Sequence, residues 1–285
     1  MIQIVFSKYW IRRIIYHIKK KGFLSFFKNL FFFLNRYFNP RYSGITSFGI
    51  LFSNKRKIIK KFCKKNLVNF DDENIKTFFN YYLNHSIIDQ NSIIYSFGLA
   101  NNINFELDLI QKKKCKVFCY DPTEISLNFF KKFNNPKIIF EPVGIYNYDG
   151  LIRFYLSGED GDTSGSICSH LKDNSQKYQE YPCKKLSSLM KSNNHSYIDV
   201  LKLDIEGVAI EVINDFISEN IFPTQICVEF EYSEKMKVNE TDINNWLSKL
   251  DKLLCLMRKN NYKCYHMPKF SNIPFNSIEV LFLKK

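Results

Sequence analysis

The sequence predicts an α/β protein whose mostly parallel sheet ends in an antiparallel pair and sits behind a basic helical extension. Three observations predict it. From residue 92 onward, short apolar runs alternate with stretches of helical apolar spacing, the pattern of parallel strands joined by right-handed crossover helices. Within that series, residues 199–207 read as a strand closed by Gly207, with Ala209, Val212, Ile213 and Phe216 at helical spacing behind it. Finally, the runs 262–267 and 277–283 leave no room for a crossover helix between them, so they must pair antiparallel.

The extension comes first. In residues 1–40, Trp10, Ile11, Ile14, Ile15 and Ile18 share a helical period with Arg12, Arg13, Lys19, Lys20 and Lys21, and Phe26, Phe27, Leu30, Phe31 and Leu34 continue the apolar stripe. No uninterrupted apolar run reaches the roughly 18–20 residues that a membrane span needs. A basic amphipathic helix of this kind can lie in a membrane interface, or it can pack on the protein itself or on a partner. A basic helical run follows at 55–65 and an apolar, aromatic one at 75–83. The α/β domain begins near Gln90, dividing the chain into an extension, residues 1–89, and a domain, residues 90–285.

In the domain, strands are expected at 92–97, 116–120, 137–140, 199–206, 225–232, 262–267 and 277–283, with helices at 104–111, 124–133, 183–191 and 242–260. Residues 146–155, with Asp149-Gly150 at the centre, read as a hairpin, and a polar loop follows at 158–169.

The formal charge of +13 invites a nucleic-acid reading until it is located. Residues 1–65 hold 16 Lys or Arg and no acid, while the rest of the chain has 25 basic and 28 acidic residues. The chain after residue 65 is slightly acidic, and no nucleic-acid module accompanies the arm. Eight cysteines show no CxxC pair or zinc-type spacing, so they read as reduced thiols and the compartment as cytoplasmic.

The chemistry gathers at strand ends. Side chains alternate along a strand, so Lys202, Asp204 and Glu206 share one face, and Glu229 and Glu231 share a face of the next strand. If those strands are neighbours, Asp204, Glu206 and Glu229 converge beyond the carboxyl edge, where open α/β sheets bind ligands. Three roles are open to such carboxylates. They can serve as a general base, bind a divalent cation, or pair with Lys202 in a structural ion network. In a nucleotide-binding sheet the first turn approaches the ligand through glycine, and an acid about 20 residues on takes the ribose hydroxyls. Gly98 and Asp121, 23 residues apart, have that spacing, although the loop 96–102 holds one glycine only. Asp121 can equally be a turn former before Pro122. His170, in the polar loop beside Ser164 and Ser166, can touch a substrate or be simply solvated.

Together, Ser96-Phe97-Gly98, Cys119-Tyr120-Asp121-Pro122-Thr123, Val143-Gly144, Arg153-Phe154-Tyr155, Leu201-Lys202-Leu203-Asp204-Ile205-Glu206-Gly207 and Gln225-Ile226-Cys227-Val228-Glu229-Phe230 resemble the FkbM-type S-adenosylmethionine-dependent methyltransferases. The resemblance covers about residues 90–232, and the Lys-x-Asp-x-Glu-Gly segment is its most specific part. It implies a Rossmann-like class I methyltransferase fold of seven strands. It further implies S-adenosylmethionine as cofactor, with Gly98 at its methionine end, Asp121 at its ribose, the residues around Glu141 to Val143 at its adenine, Asp204 beside the transferred methyl group, and Ser96 as a further cofactor-binding candidate. The family's first-motif acid is absent, with Ser96 in its place.

The resulting expectation is an O-methyltransferase acting on a sugar hydroxyl of a surface glycan or a secondary metabolite. Asp204, Glu206, Lys202 and Glu229 are its candidate catalytic residues, and residues 1–40 a peripheral contact with the inner membrane face. The competing classes are a non-catalytic binding module of the same fold and a nucleic-acid methyltransferase served by the basic arm.

Overall fold

The computed structural model describes residues 54–70, 72–156, 165–166, 178–205, 207–231, 240–267 and 277–285. The amphipathic stretch 1–40, His170, Ser164 and Glu206 therefore lie outside the described residues.

The chain enters on a helix, α1 (Asn54–Asn66), followed by a hairpin of β1 (Ile75–Phe78) and β2 (Tyr81–Asn84). The domain proper then runs β3 (Ile93–Phe97), α2 (Asn104–Lys113), β4 (Lys116–Tyr120), α3 (Glu124–Phe130) and β5 (Ile138–Glu141). Four strands of a smaller sheet follow: β6 (Gly144–Ile145), β7 (Gly150–Leu156), β8 (Gly165–Ser166) and β9 (Tyr178–Lys184). The main series resumes with α4 (Leu186–Ser192), β10 (Val200–Leu203), α5 (Ala209–Ser218), β11 (Gln225–Glu231), α6 (Glu240–Lys259), β12 (Tyr262–His266) and β13 (Ser277–Lys284).

The main sheet has seven strands in the order β5-β4-β3-β10-β11-β13-β12. All neighbours are parallel except those of β13, which runs antiparallel to both β11 and β12. This is the class I methyltransferase arrangement. The order reverses between β3 and β10, and such a switch point opens a crevice at the carboxyl edge.

Alternation along the strands sends side chains to two apolar layers. Leu201, Leu203, Ile226 and Val228 join Val212, Ile213 and Phe216 of α5 and Leu250, Leu253 and Leu254 of α6 on one face. Val200, Ile94, Val117, Cys119 and Cys227 join Leu109 of α2 and Phe78, Tyr81 and Leu83 of the hairpin on the other. Seven described cysteines are free thiols, and six of them are buried, where they pack as small apolar groups.

Three expectations are corrected. The extension at 1–89 is not helical throughout, because 75–84 form a hairpin laid on the sheet. Its cross-strand tie is Gln225, a fully buried amide that accepts from Asn84 N–H at 2.7 Å and donates to Asn84 O at 3.1 Å. A hairpin turning at Asp149-Gly150 is also absent, since β6 and β7 lie on opposite sides of β9 instead of pairing with each other. Asp149 instead accepts from Lys185 N–H and Ser188 Oγ at the start of α4. The helix expected from residue 183 consequently starts at Leu186, after β9.

Phe78, Tyr81 and Leu83 are each at most 8% exposed, and burying three such side chains is worth about 5–8 kcal/mol, comparable with the whole stability of a domain. A chain starting at Asn54 should therefore unfold cooperatively in urea, whereas one starting at Gln90 should be insoluble or lack a cooperative transition. A cooperative, equally stable 90–285 fragment would show that the hairpin is dispensable.

Candidate active site

At the switch point the ends of β3 and β10 are locked together. Phe97 O accepts from Asp204 N–H at 3.3 Å, and Gly98 crosses so close to Asp204 that a Cβ built there would lie 1.7 Å from Asp204 O. Gly98 also holds φ at 74°, so both space and backbone conformation require glycine.

Lys202, 3% exposed, reinforces that junction. Its ammonium donates to Gly98 O at 3.0 Å and Phe97 O at 3.4 Å, and lies 3.7 Å from Asp204 Oδ2. The ring of Tyr81 covers it at 5.2 Å, and the Tyr81 hydroxyl donates to Asp204 Oδ2 at 2.9 Å. Burial first, then the charges of Asp204 and Glu229, raise the Tyr81 phenol well above its ordinary range. It stays protonated, and stays a donor, through neutral pH. Glu229 stands opposite Glu279 in the β11–β13 register. Around Tyr81 the site thus gathers three acids and one base, with the Asp204 side chain 37% exposed.

The loop after β3 is built without the expected glycines. Ala100 takes the left-handed conformation at φ 47°, which an L side chain adopts at a cost of about 1 kcal/mol. Asp121 holds it there. Its Oδ2 accepts from the N–H groups of Leu99 and Ala100, both at 2.8 Å, while Oδ1 accepts from Thr123 N–H and Oγ1 at 2.9 and 2.6 Å. Ser126 Oγ closes the loop from α3 by donating to Ala100 O at 2.8 Å. The four acceptor positions of the buried Asp121 carboxylate are filled by this work. Its geometry is that of a loop clamp.

The remaining sequence candidates are spread out. Ser96 is buried and donates to Glu106 Oε1 at 2.5 Å. Glu141 pairs with Lys184 at 2.6 Å across to β9, and Val143 is buried in the apolar layer below. Gly98, Lys202 and Asp204 are therefore brought into direct contact, with Glu229 close to Tyr81, while Glu141 and Val143 flank the far side. Among the described residues no group of three His, Cys, Asp or Glu side chains is placed to hold a metal ion. Sequence reasoning missed Tyr81 and Glu106. Tyr81 sits in an apolar run with nothing to signal that it would fold over β10. Glu106, in the first turn of α2, reads as an ordinary acid favoured by the helix dipole.

A family model described as the methyltransferase FkbM domain matches residues 98–264, more than half of the chain. The protein belongs to the FkbM methyltransferase family. No curated protein matches the chain. Among solved structures, it is similar to an rRNA methylase described as putative from Clostridium thermocellum, with 11% identity over 70% of this chain and 89% of that one, at a TM-score of 0.40. It is also similar to the plantazolicin methyltransferase BpumL, solved with S-adenosylhomocysteine, at 11% identity over 96% of both chains and a TM-score of 0.38. M. jannaschii TYW2, solved with AdoMet, has 11% identity over 76% of this chain and 90% of that one, at a TM-score of 0.30. The matched family region takes in Gly98, Asp121, Lys202 and Asp204, whereas Tyr81 lies before it.

The clamp is open to a direct test. Asp121→Asn removes the charge and turns a donor toward backbone amides, so urea denaturation should show a loss of about 2–4 kcal/mol. Adding Ala100→Gly should restore about 1 kcal/mol by removing the left-handed penalty. An Asp121→Asn variant as stable as the parent would rule the clamp out.

Proposed function

We propose that this FkbM methyltransferase is S-adenosylmethionine-dependent and methylates the oxygen of a sugar hydroxyl, in a surface glycan or a secondary metabolite. The observation that carries the reading is the Asp204 carboxylate. It is part-exposed at the switch point, anchored on one oxygen by Tyr81, and set against a first loop whose backbone is fixed by Asp121. The chemistry of the site fits a cationic cofactor, since three acids face one base around Tyr81.

When bound, S-adenosylmethionine supplies a methyl group made electrophilic by its sulfonium. The chain's own part is to bind, orient and deprotonate. Residues 98–102 and Asp204 border the cofactor, with Gly98 permitting the close approach of the two strand ends. Asp204 takes the proton of the acceptor hydroxyl on its carboxylate, the general-base role, and Tyr81 holds that carboxylate in one orientation. Lys202 fixes the backbone of the first loop and is not a reactant. This is the structural alternative that its position in sequence left open. Glu229 adds negative charge beside Tyr81, and Glu206 keeps the role of a second carboxylate.

The sugar acceptor rests on family resemblance and on the front end of the chain. Among the described residues no helix is long and apolar enough to cross a membrane. The basic, aromatic residues 1–40 would bring the enzyme to acceptors at the inner membrane face. Nucleic acid is the weaker acceptor, since the 16 basic residues of 1–65 precede a remainder of the chain with 25 basic and 28 acidic residues.

Calorimetric titration with S-adenosylmethionine should show binding, and mass spectrometry of surface glycans should show one methylene of added mass that is lost when the protein is removed. A folded sample that binds nothing would instead make the protein a non-catalytic module. Asp204→Asn should keep cofactor binding and lower transfer by about 10²–10⁴-fold; an unchanged rate would sink the base assignment.

A further inference from the structure

The two faces of α1 differ in chemistry. Cys63, with Leu67 just past the helix end, is buried in the apolar layer shared with α5 and α6, and Ile58, Ile59 and Phe62 pack against that layer. The opposite face carries Lys57, Lys60, Lys61, Lys64 and Lys65, all exposed. Their positions at i, i+3, i+4, i+7 and i+8 put five ammonium groups on one ridge, about 12 Å long at a rise of about 1.5 Å per residue. No acid occurs anywhere in the helix, and none of the five lysines forms an ion pair among the described residues.

Other helices of the chain meet solvent with mixed charge. On α2, Lys112 pairs with Asp108 at 2.8 Å, and on α6 the exposed Lys249 and Lys252 flank Asp251. Like charges at i, i+4 repel, and the α1 ridge holds Lys57 with Lys61, Lys60 with Lys64, and Lys61 with Lys65, with no acid to offset them. The helix dipole favours Lys64 and Lys65 in the last turn but not the lysines before them. A polyanionic surface laid against the ridge would relieve that repulsion and attract every ammonium at once.

We propose that the lysine ridge of α1 docks the protein on the anionic headgroups of a membrane surface. A straight row of hydrated point charges suits a flat layer of phosphate groups whose arrangement it need not read. An enzyme that selects a nucleic-acid base needs aromatic, Arg, Asn or Gln side chains for stacking and base-edge contacts, and the exposed ridge offers lysine alone. Residues 1–53, which lead into the helix, also hold basic residues and no acid. The inference deepens the membrane-face reading above and rests on it. It places a contact on a helix packed against the main apolar layer, so that docking holds the sheet domain itself at the surface.

Co-sedimentation of the full chain with vesicles of about one-quarter phosphatidylglycerol in phosphatidylcholine tests the ridge, and binding should fall steeply as salt is raised. Each lysine near such a surface is worth about fivefold in affinity, so the combined Lys60→Gln, Lys61→Gln and Lys64→Gln variant should bind about a hundredfold more weakly. The Lys249→Gln and Lys252→Gln double variant removes exposed charge from α6 and should stay within about threefold of the parent. Both variants should bind S-adenosylhomocysteine in calorimetric titration as the parent does. A triple variant that keeps the parent's vesicle affinity, a loss as large in the α6 variant, or ridge-dependent binding of a single-stranded RNA oligonucleotide with none to vesicles overturns the docking surface and leaves the methyltransferase reading intact. A folded parent that binds vesicles through the ridge but not S-adenosylhomocysteine overturns the methyltransferase reading and upholds the docking surface.

Discussion

Lys202 carries its ammonium to the place where the two central strands end, and the site depends on it. Removing a cation from water costs several kcal/mol unless its hydrogen bonds are replaced, and here the replacements are two backbone carbonyls of the β3 end and the Asp204 carboxylate. The arrangement requires those carbonyls to turn toward β10, which sets the path of the loop at Gly98. It also requires a cover, which Tyr81 provides by closing over the ammonium. One buried charge thus couples the turn, the carboxylate and the hairpin.

The same coupling explains why residues outside the family-matched region belong to the site. Tyr81 lies before residue 98, where the match begins, yet it donates to the carboxylate that the functional reading makes the base. The hairpin that carries it is pinned by the Gln225 amide to β11, next to the strand that carries Lys202. Sheet, hairpin and first loop therefore form one mechanical unit around the crevice. A small ligand entering it meets backbone already held in place, with little ordering left for binding to supply.

Most of the sheet was legible in the sequence because buried parallel strands are short apolar runs and their crossovers keep helical spacing. β3, β4, β10, β11 and the antiparallel β12–β13 pair all follow that rule. Where the rule fails, the physical reasons differ. β9, Tyr-Gln-Glu-Tyr-Pro-Cys-Lys, is half-exposed, polar and contains Pro182, so it carries no strand signal of its own and is recruited by β7. Residues 75–84 are apolar on a period that suits either a helix or a hairpin, and only the sheet beneath decides between them. Within the site, the shared face of Lys202 and Asp204 was legible, whereas their contact with Gly98 was not. The work done by Asp121 was not, since whether a carboxylate clamps its own loop or faces a ligand depends on amide directions that spacing does not encode. Glu106 was hidden for a similar reason, because its partner Ser96 is ten positions away and meets it only once α2 folds back on β3.

The central claim is that the crevice over the carboxyl ends of β3, β4 and β10 is a cofactor site whose first loop is held ready by the protein itself. A crystal structure of the full chain with S-adenosylhomocysteine tests it most directly. The account predicts the ligand lying across residues 98–102 and Asp204, with the Asp121 carboxylate still on the amides of Leu99 and Ala100 and Lys202 still on the carbonyls of Phe97 and Gly98. A ligand bound elsewhere, or a loop rebuilt with Asp121 released from those amides, would contradict it.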